Sequence, residues 1–231
     1  MKKISKLTVI TTLVTLLPIA LGIALYDRLP DVVAIHWGMD NQPDGWSSRA
    51  IAAFGMPAIL ALINLVCSIA MEIYPDSPFV KVRPVSIKAV GGWEKENKLA
   101  DKVSPRLMWL CRWIIPVLSL ILVPVMLYSA MGVSFDMGRI VCSILGIMFI
   151  IIGNYLPKCR RNGVVGIKIP WTLSSDENWD KTHRFAGFVW IVCGAAAIVG
   201  GWIKPVVAIV ALVAMILLPV VYSGILKHKG I

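Results

Sequence analysis

The chain has little charge. Only 16% of its 231 residues are charged, whereas 58% are hydrophobic and the mean hydropathy is +0.78. A soluble domain has about 25% charged and 45–50% apolar residues, so this chain has too little polar surface for a soluble enzyme. Carboxylates are scarcer than cations, 13 against 23. The resulting net charge of +10 fits either nucleic acid or an anionic membrane surface, and the positions of the charges decide between them.

Cysteine is also sparse. Five cysteines, at positions 67, 111, 142, 159 and 193, lack the CxxC spacing of metal and redox sites. Their odd number and their placement in or beside apolar runs argue against a disulfide framework. We interpret them as small apolar packing residues, and we expect no metal, cofactor or catalytic residue.

Long uncharged runs are abundant, and six of them are long enough at about 1.5 Å per residue to cross a hydrocarbon core of roughly 30 Å. They are Leu7–Tyr26, Ala50–Met71, Trp113–Met131, Ile140–Pro157, Phe185–Ile203 and Pro205–Leu226. None alternates polar and apolar residues as a barrel strand does. The first run resembles a signal peptide in its basic start, but it continues past the candidate cleavage sites to Tyr26. The sequence therefore predicts an all-α integral membrane protein with six transmembrane helices.

The basic residues predict the orientation of these spans. Apart from Arg112, eighteen of the 23 Lys and Arg residues lie in the two termini and in the segments 72–112 and 158–184, whereas the opposite side has only Arg28, Arg49, Arg139 and Lys204. Arg112 begins the third span, where we expect its head group to reach the interface. Both termini are thus predicted to be cytoplasmic, and the positive charge is better explained by orientation in an anionic membrane than by direct nucleic-acid binding.

The predicted organisation has three parts. Residues 1–72 form an N-terminal membrane domain of two spans with an ordered extracytoplasmic loop at 27–49, and residues 73–112 form a cytoplasmic connecting segment. Residues 113–231 form a four-span domain. In the connecting segment, 94–102 is predicted as a surface helix on anionic headgroups, with a partner-docking surface as the alternative.

The extracytoplasmic loop contains a predicted strand at Val32–Trp37 and turn chemistry at Asn41–Gly45. His36 lies near three aspartates, which leaves a metal site or a pH-sensitive recognition loop as hypotheses, although the spacing is not that of a specific ligand set. The simpler interpretation is that Trp37 and Trp46 anchor the loop at the lipid interface. The candidate recognition residues are Pro30, His36, Trp37, Asp44, Gly45 and Trp46.

The segment 158–184 carries the most unusual residues. Ser174 and Glu177 match a capping box, which predicts a helix that begins near Ser175 and continues into the fifth span. On this helix Trp179, His183, Ala186 and Trp190 share one face, which we interpret as an interfacial belt that packs on a neighbouring helix. His183 has no evident nucleophile or acid partner. Within the spans, Asn64 and Asn154 are each expected to hydrogen-bond another helix.

This region resembles a known family. The resemblance is carried by Gly153-Asn154-Tyr155-Leu156-Pro157-Lys158, Asn162, Gly166-Ile167-Lys168-Ile169-Pro170-Trp171-Thr172-Leu173, Asn178-Trp179 and Lys181-Thr182-His183-Arg184-Phe185-Ala186-Gly187. It is similar to the signature of the SdpI immunity-protein family, and the loop from Leu29 to Arg49 resembles a small membrane domain of unknown function that often precedes it. The family usually has Arg and Thr where this chain has Lys168 and Ile169.

The resemblance implies a non-enzymatic protein of the bacterial cytoplasmic membrane that protects its cell from a secreted antimicrobial peptide toxin. It also implies a cytoplasmic role in which a small transcriptional repressor is held at the membrane. The implied partner-binding residues are Asn154, Asn162, Gly166, Lys168, Pro170, Trp171, Thr172, Leu173, Trp179, His183 and Arg184. The alternative is a small transporter or transporter subunit, which the absence of charge inside the spans disfavours.

Overall fold

The computed structural model describes residues 4–38, 40–73, 105–162 and 165–231. Within these ranges six helices are long and apolar enough to cross a membrane: Lys6–Arg28, Ile51–Glu72, Met108–Ala130, Met137–Lys158, Asp176–Ile203 and Val206–His228. The predicted all-α six-span fold is confirmed, and the protein is a multi-pass cell-membrane protein. The predicted surface helix at 94–102 lies outside the described residues.

The described helices are α1 (Lys6–Leu16), α2 (Pro18–Leu25), α3 (Met56–Ile73), α4 (Pro105–Ala130), α5 (Met137–Tyr155), α6 (Pro170–Ser174), α7 (Asp176–Ile203) and α8 (Pro205–His228). Pro18 separates α1 from α2 because proline has no N–H to donate to the preceding turn. A π-helical turn at Ile51–Gly55 leads into α3. Lys204 alone separates α7 from α8, so the two helices are joined by a tight turn before Pro205.

The helices form two compact units. Unit 1 comprises Met1–Glu72 and Cys111–Ile144, and unit 2 comprises Ile73–Leu110 and Leu145–Ile231, as far as these ranges are described. The domain boundaries at 73 and 113 were drawn from the order of segments and stay a prediction.

Unit 1 contains an antiparallel hairpin of β1 (Val32–Trp37) and β2 (Pro43–Ser48). The strand predicted at 32–37 is confirmed. The turn prediction is wrong for residues 43–45, because the reversal is complete at Gln42, whose carbonyl accepts from the Gly38 N–H at 2.9 Å. Asn41 supplies the left-handed residue of this turn at a φ of 61°. Pro43 fits the start of an edge strand, where its missing N–H costs no ladder bond.

The hairpin is ordered because one face is buried. Val33 is buried in an apolar cluster with Leu25, Ala52 and Leu127, and Trp37 packs against the same cluster. This contact is the physical reason that the loop is folded. It also places Trp37 inward, so only Trp46 of the two predicted lipid anchors is exposed.

A buried row of polar side chains, here called the polar seam, connects three spans of unit 1. Its members are Ser5, Thr8, Thr11, Thr12, Thr15, Asn64, Ser68, Glu72, Arg112 and Ser119. Thr8, Thr11 and Thr15 lie on one face of α1 and are fully buried. The amide of Asn64 accepts from the hydroxyls of Thr11 and Thr12 and donates to the Arg112 carbonyl, all at 3.2 Å. The predicted interhelical role of Asn64 is therefore confirmed.

The polar seam ends in an ion pair. The carboxylate of Glu72 accepts from the hydroxyls of Ser5 and Thr8, each at 2.5 Å, and lies 3.4 Å from the guanidinium of Arg112. The Arg112 side chain is only 11% exposed. Its head group pairs with the carboxylate at the end of α3, and its reach to the lipid interface stays a prediction.

Unit 2 brings helices together through glycine. Gly146 and Gly153 on α5 face Gly194 and Gly187 on α7, and a Cβ on any of the four would lie 2.5–2.9 Å from the carbonyl oxygen of its partner glycine. Spacing of seven residues on both helices keeps the two contacts on one face. Small residues that let two backbones approach closely are a common basis of helix association in lipid.

Candidate functional site

The cytoplasmic segment predicted at 158–184 folds back onto the start of α7. Trp179 and His183 are buried and stacked, with ring centroids 4.0 Å apart. The indole Nε1 of Trp179 donates to the Cys159 carbonyl at 2.7 Å, and the Ile167 N–H donates to His183 Nε2 at 3.0 Å. Both side chains therefore bind the backbone of the folded segment.

These contacts define the protonation of His183. Its Nδ1 lies 2.8 Å from the Trp179 carbonyl, which can only accept, so Nδ1 carries the hydrogen. Nε2 accepts from Ile167, so the ring is neutral, with both nitrogens engaged. His183 is a structural support for the segment, and the arrangement offers it no role as an acid or base.

Gly166 is required where the segment crosses the two rings. Its φ is +130°, and a Cβ would lie 2.6 Å from His183 Nε2 and 2.7 Å from Trp179 Cη2. A side chain there would separate the segment from α7. The sequence pattern marks Gly166, but the reason is visible only in the folded structure.

The hydrogen bonds of Asn162 stabilise the preceding turn. Its amide nitrogen donates to the Arg160 carbonyl at 2.7 Å, and its amide oxygen accepts from the Val165 N–H at 2.8 Å. The nitrogen also lies 3.3 Å from the Cys159 sulfur, which is within 3.4 Å of the Val165 carbonyl. The buried Cys159 side chain therefore belongs to this turn.

Thr172 likewise stabilises the backbone through hydrogen bonds, at the start of α6. Its hydroxyl accepts from the Ile169 N–H at 3.1 Å and lies 2.7 Å from the Ile167 carbonyl, to which it can donate. Arg161 then ties the end of α6 to α7, because its guanidinium donates to the Leu173 carbonyl at 2.7 Å and to the Asp176 carboxylate at 2.5 Å.

The helix α7 begins as predicted, one residue from the expected cap. Ser175, not Ser174, accepts from the Asn178 N–H at 3.2 Å. The side chain of Asn178 then bonds α8: its nitrogen donates to the Ser223 carbonyl at 3.1 Å, and its oxygen accepts from the Ser223 hydroxyl at 2.5 Å. Neither Asn178 nor Ser223 was among the predicted site residues. The signal for Asn178 was its place beside Trp179 in the family signature.

The remaining signature residues lie on the outside of this segment. Lys168, Pro170 and Arg184 are exposed, and Trp171 and Leu173 are half-buried. Lys227 lies over the Trp171 ring, with Nζ 5.1 Å from the centroid. Arg184 forms no ion pair or hydrogen bond with any residue in the described part of the chain. The signature thus separates into residues that are buried in the fold and residues that are exposed on the surface of the segment.

Asn154 does not behave as predicted. It is exposed, and it makes no hydrogen bond to another helix among the described residues. The positions nearest to α7 on this part of α5 are taken by Gly153 and Pro157, which contact Gly187. Asn154 therefore lies on another face.

The β1–β2 hairpin of unit 1 brings His36, Asp44 and Gly45 together. His36 Nδ1 and an Asp44 oxygen share a hydrogen bond, and a Cβ on Gly45 would lie 2.9 Å from the His36 Cβ. Trp46 and Val32 are exposed on the same face, at 57% and 61%. Pro30 is exposed before β1, whereas Trp37 faces the core.

The fold and this segment define a multi-pass membrane protein of six helical spans with a folded cytoplasmic segment between the fourth and fifth. Residues 158–223 match the SdpI/YfhL protein family model, and residues 13–61 match a domain of unknown function (DUF1648). These matches confirm the resemblance to the SdpI family and to the small domain that precedes its signature.

The chain is also similar over nearly its full length to a curated relative. It is 23% identical over 223 residues to the immunity protein SdpI of Bacillus subtilis (strain 168), which covers 96% of this chain and 95% of the relative. No solved structure matches the chain. The likeness supports a membrane immunity-protein family.

Proposed function

We propose that this protein protects its cell against a secreted antimicrobial peptide toxin and, through the exposed face of the segment 158–184, holds a cytoplasmic repressor at the membrane. The proposal is supported by the family match of residues 158–223 and by the similarity to an immunity protein. The observation that carries it is the division of the signature. Arg184 is exposed and makes no ion pair or hydrogen bond within the described residues, so its guanidinium can bind a partner.

The composition of that face indicates the chemistry of the partner. Lys168 and Arg184 are cationic and exposed, and Pro170 and Trp171 add apolar surface. Arginine and aromatic residues are typical of interface centres. The expected cytoplasmic partner therefore presents an acidic surface with an apolar anchor.

The toxin is expected on the other side of the membrane. The exposed face of the hairpin offers Trp46 and Val32 beside the His36–Asp44 pair. An amphipathic peptide that approaches from outside meets this face before the spans. If the toxin binds at this face, immunity does not require a cytoplasmic partner.

Protection is tested by deleting the gene and challenging the cells with secreted peptides, including culture supernatant of the parent strain. Loss of the gene should lower the inhibitory concentration, and expression of the wild-type chain should restore it. Trp46→Ala should weaken protection while membrane levels stay equal. Equal sensitivity with and without the gene across the panel would count against immunity.

The repressor role is tested by capture from solubilised membranes. Intact protein should retain a DNA-binding protein, and Arg184→Ala should retain much less of it. Lys229→Ala is the matched control, because Lys229 is an exposed cytoplasmic cation outside the signature. Gly166→Ala should lose the partner together with the fold of the segment. If intact protein captures no DNA-binding protein, the sequestration proposal fails and immunity stands on its own test.

A further inference from the structure

An open groove of about 330 Å³ in unit 2 is not used by the proposed function. It is lined by Arg106, Trp109 and Leu110 at the start of α4 and by Tyr155 at the end of α5. The spans to which these residues belong run over Met108–Ala130 and Met137–Lys158. The groove therefore lies where the third span begins and the fourth span ends, which is the cytoplasmic headgroup level in the orientation that the basic residues predict.

The groove has an apolar wall and a basic edge. Trp109 is 50% exposed, and together with Leu110 and the Tyr155 ring it presents apolar surface. Lys158 extends the basic edge, since its Nζ lies 5.3 Å from the centroid of the Tyr155 ring. Arg106 and Lys158 are both exposed, and neither pairs with a carboxylate in the described part of the chain.

We propose that this groove binds one anionic phospholipid of the cytoplasmic leaflet. Its phosphate is held between the Arg106 guanidinium and the Lys158 ammonium, and its glycerol and upper acyl chain lie on Trp109, Leu110 and Tyr155. The planar guanidinium donates two parallel hydrogen bonds to phosphate oxygens, and lysine adds a point charge. Aromatic side chains at this depth suit the boundary between headgroup and chain.

A lipid accounts for both halves of the groove, whereas a soluble phosphate would use only the basic edge. Basic pockets between membrane helices on the cytoplasmic side recognise anionic headgroups in this way.

The test is native mass spectrometry of the full chain, purified in detergent and supplied with equal amounts of phosphatidylglycerol and phosphatidylcholine of the same acyl chains. The wild type should retain phosphatidylglycerol with a preference of up to about thirtyfold, since each of the two cations contributes about 1 kcal/mol. The variant Arg106→Gln with Lys158→Gln should lose that preference. Arg28→Gln with Lys204→Gln is the matched control, because it removes two exposed cations from the opposite ends of spans and should keep the preference.

Two results would overturn the proposal. One is equal retention of the two lipids by the wild type, or the same preference in the groove variant and in the control. The other is displacement of bound phosphatidylglycerol by millimolar glycerol 3-phosphate, which would identify a soluble phosphate as the ligand. Unchanged binding in the presence of that competitor supports the lipid.

Discussion

The two units hold their helices together by opposite means. In unit 1, hydroxyl, amide and charged groups of the polar seam bond across three spans, and the Glu72–Arg112 pair closes the row. In unit 2, α5 and α7 meet at Gly146, Gly153, Gly187 and Gly194, where backbone lies against backbone. Lipid is as apolar as leucine, so association inside a membrane depends on hydrogen bonds or on close packing. The three spans joined by the polar seam rely mainly on hydrogen bonds, and the contact between α5 and α7 relies on close packing, although α7 and α8 also bond through Asn178 and Ser223.

The difference teaches which kind of substitution each unit should fail to tolerate. The polar seam is sensitive to the loss of an atom, because the partner of a deleted group is left buried without a hydrogen bond. The glycine contacts are sensitive to the gain of an atom, because neither backbone can give way. Variants of both kinds, those that delete a polar group and those that add a methyl group, can be compared by the heat stability of the detergent-solubilised protein. Size-exclusion chromatography after heating measures that stability.

The largest effect is expected for Arg112→Leu. It leaves the Glu72 carboxylate with the hydroxyls of Ser5 and Thr8 and the Ser5 N–H but no cationic partner, and breaking a buried pair costs roughly 3–5 kcal/mol. We expect about 3 kcal/mol, the low end of that range, because 17% of the Glu72 side chain remains exposed. The double variant Glu72→Leu with Arg112→Leu should recover most of the loss. Additive losses in this double-mutant cycle would show that the two residues do not interact.

In unit 2 the sharpest test is the addition of one methyl group. Gly194→Ala places a Cβ 2.7 Å from the Gly146 carbonyl oxygen and should destabilise unit 2 by about 1–3 kcal/mol. Gly224→Ala on α8 is the control, because nothing lies within 4 Å of its Cβ. It should be neutral or stabilising, since alanine favours a helix more than glycine does. Equal effects at the two positions would contradict a role for close approach.

Much of this architecture could be predicted from the sequence, because the hydrophobic runs and the basic residues act locally. The six spans, the strand at 32–37 and the start of α7 near Ser175 all follow from such short-range patterns. The close approach of α5 and α7 could not be predicted, because glycine spacing does not say which helix lies opposite.

The signature segment shows the same limit. The shared face of Trp179 and His183 was predicted correctly, but its partner is the backbone of residues 159 and 167 and not a lipid interface. That contact depends on the segment folding back, which no local pattern encodes. The family signature marked Gly166 and Thr172 as important, and the structure supplies the reason, which is support of the segment.

The two asparagines of the spans test how far an amide in a membrane helix signals a hydrogen bond. Asn64→Leu removes the bonds to Thr11, Thr12 and the Arg112 carbonyl, and it should cost about 1 kcal/mol, within the range of interhelical bonds in lipid. Asn154→Leu is the matched control, because this asparagine is exposed on α5. It should leave stability unchanged or raise it. If Asn154→Leu lowered stability as much as Asn64→Leu does, the exposure of the side chain would not explain which asparagine stabilises the fold.

The smallest expected effect separates bonds between helices from bonds within one helix. The Ser119 hydroxyl donates to the Thr15 carbonyl of another span at 2.8 Å, whereas the Thr15 hydroxyl donates to the Thr11 carbonyl one turn earlier in α1, also at 2.8 Å. Ser119→Ala should cost about 0.6 kcal/mol, the average for an interhelical bond in a membrane protein.

Thr15→Val should cost less than Ser119→Ala. It keeps the branched shape, and its acceptor is a helix carbonyl that retains its own backbone bond. The two variants remove one hydroxyl each from residues that are both fully buried, so burial is matched. If Thr15→Val proves the more damaging, then the threonine hydroxyls stabilise α1 itself next to Pro18, and the stability of unit 1 depends on that helix more than on the bonds between spans.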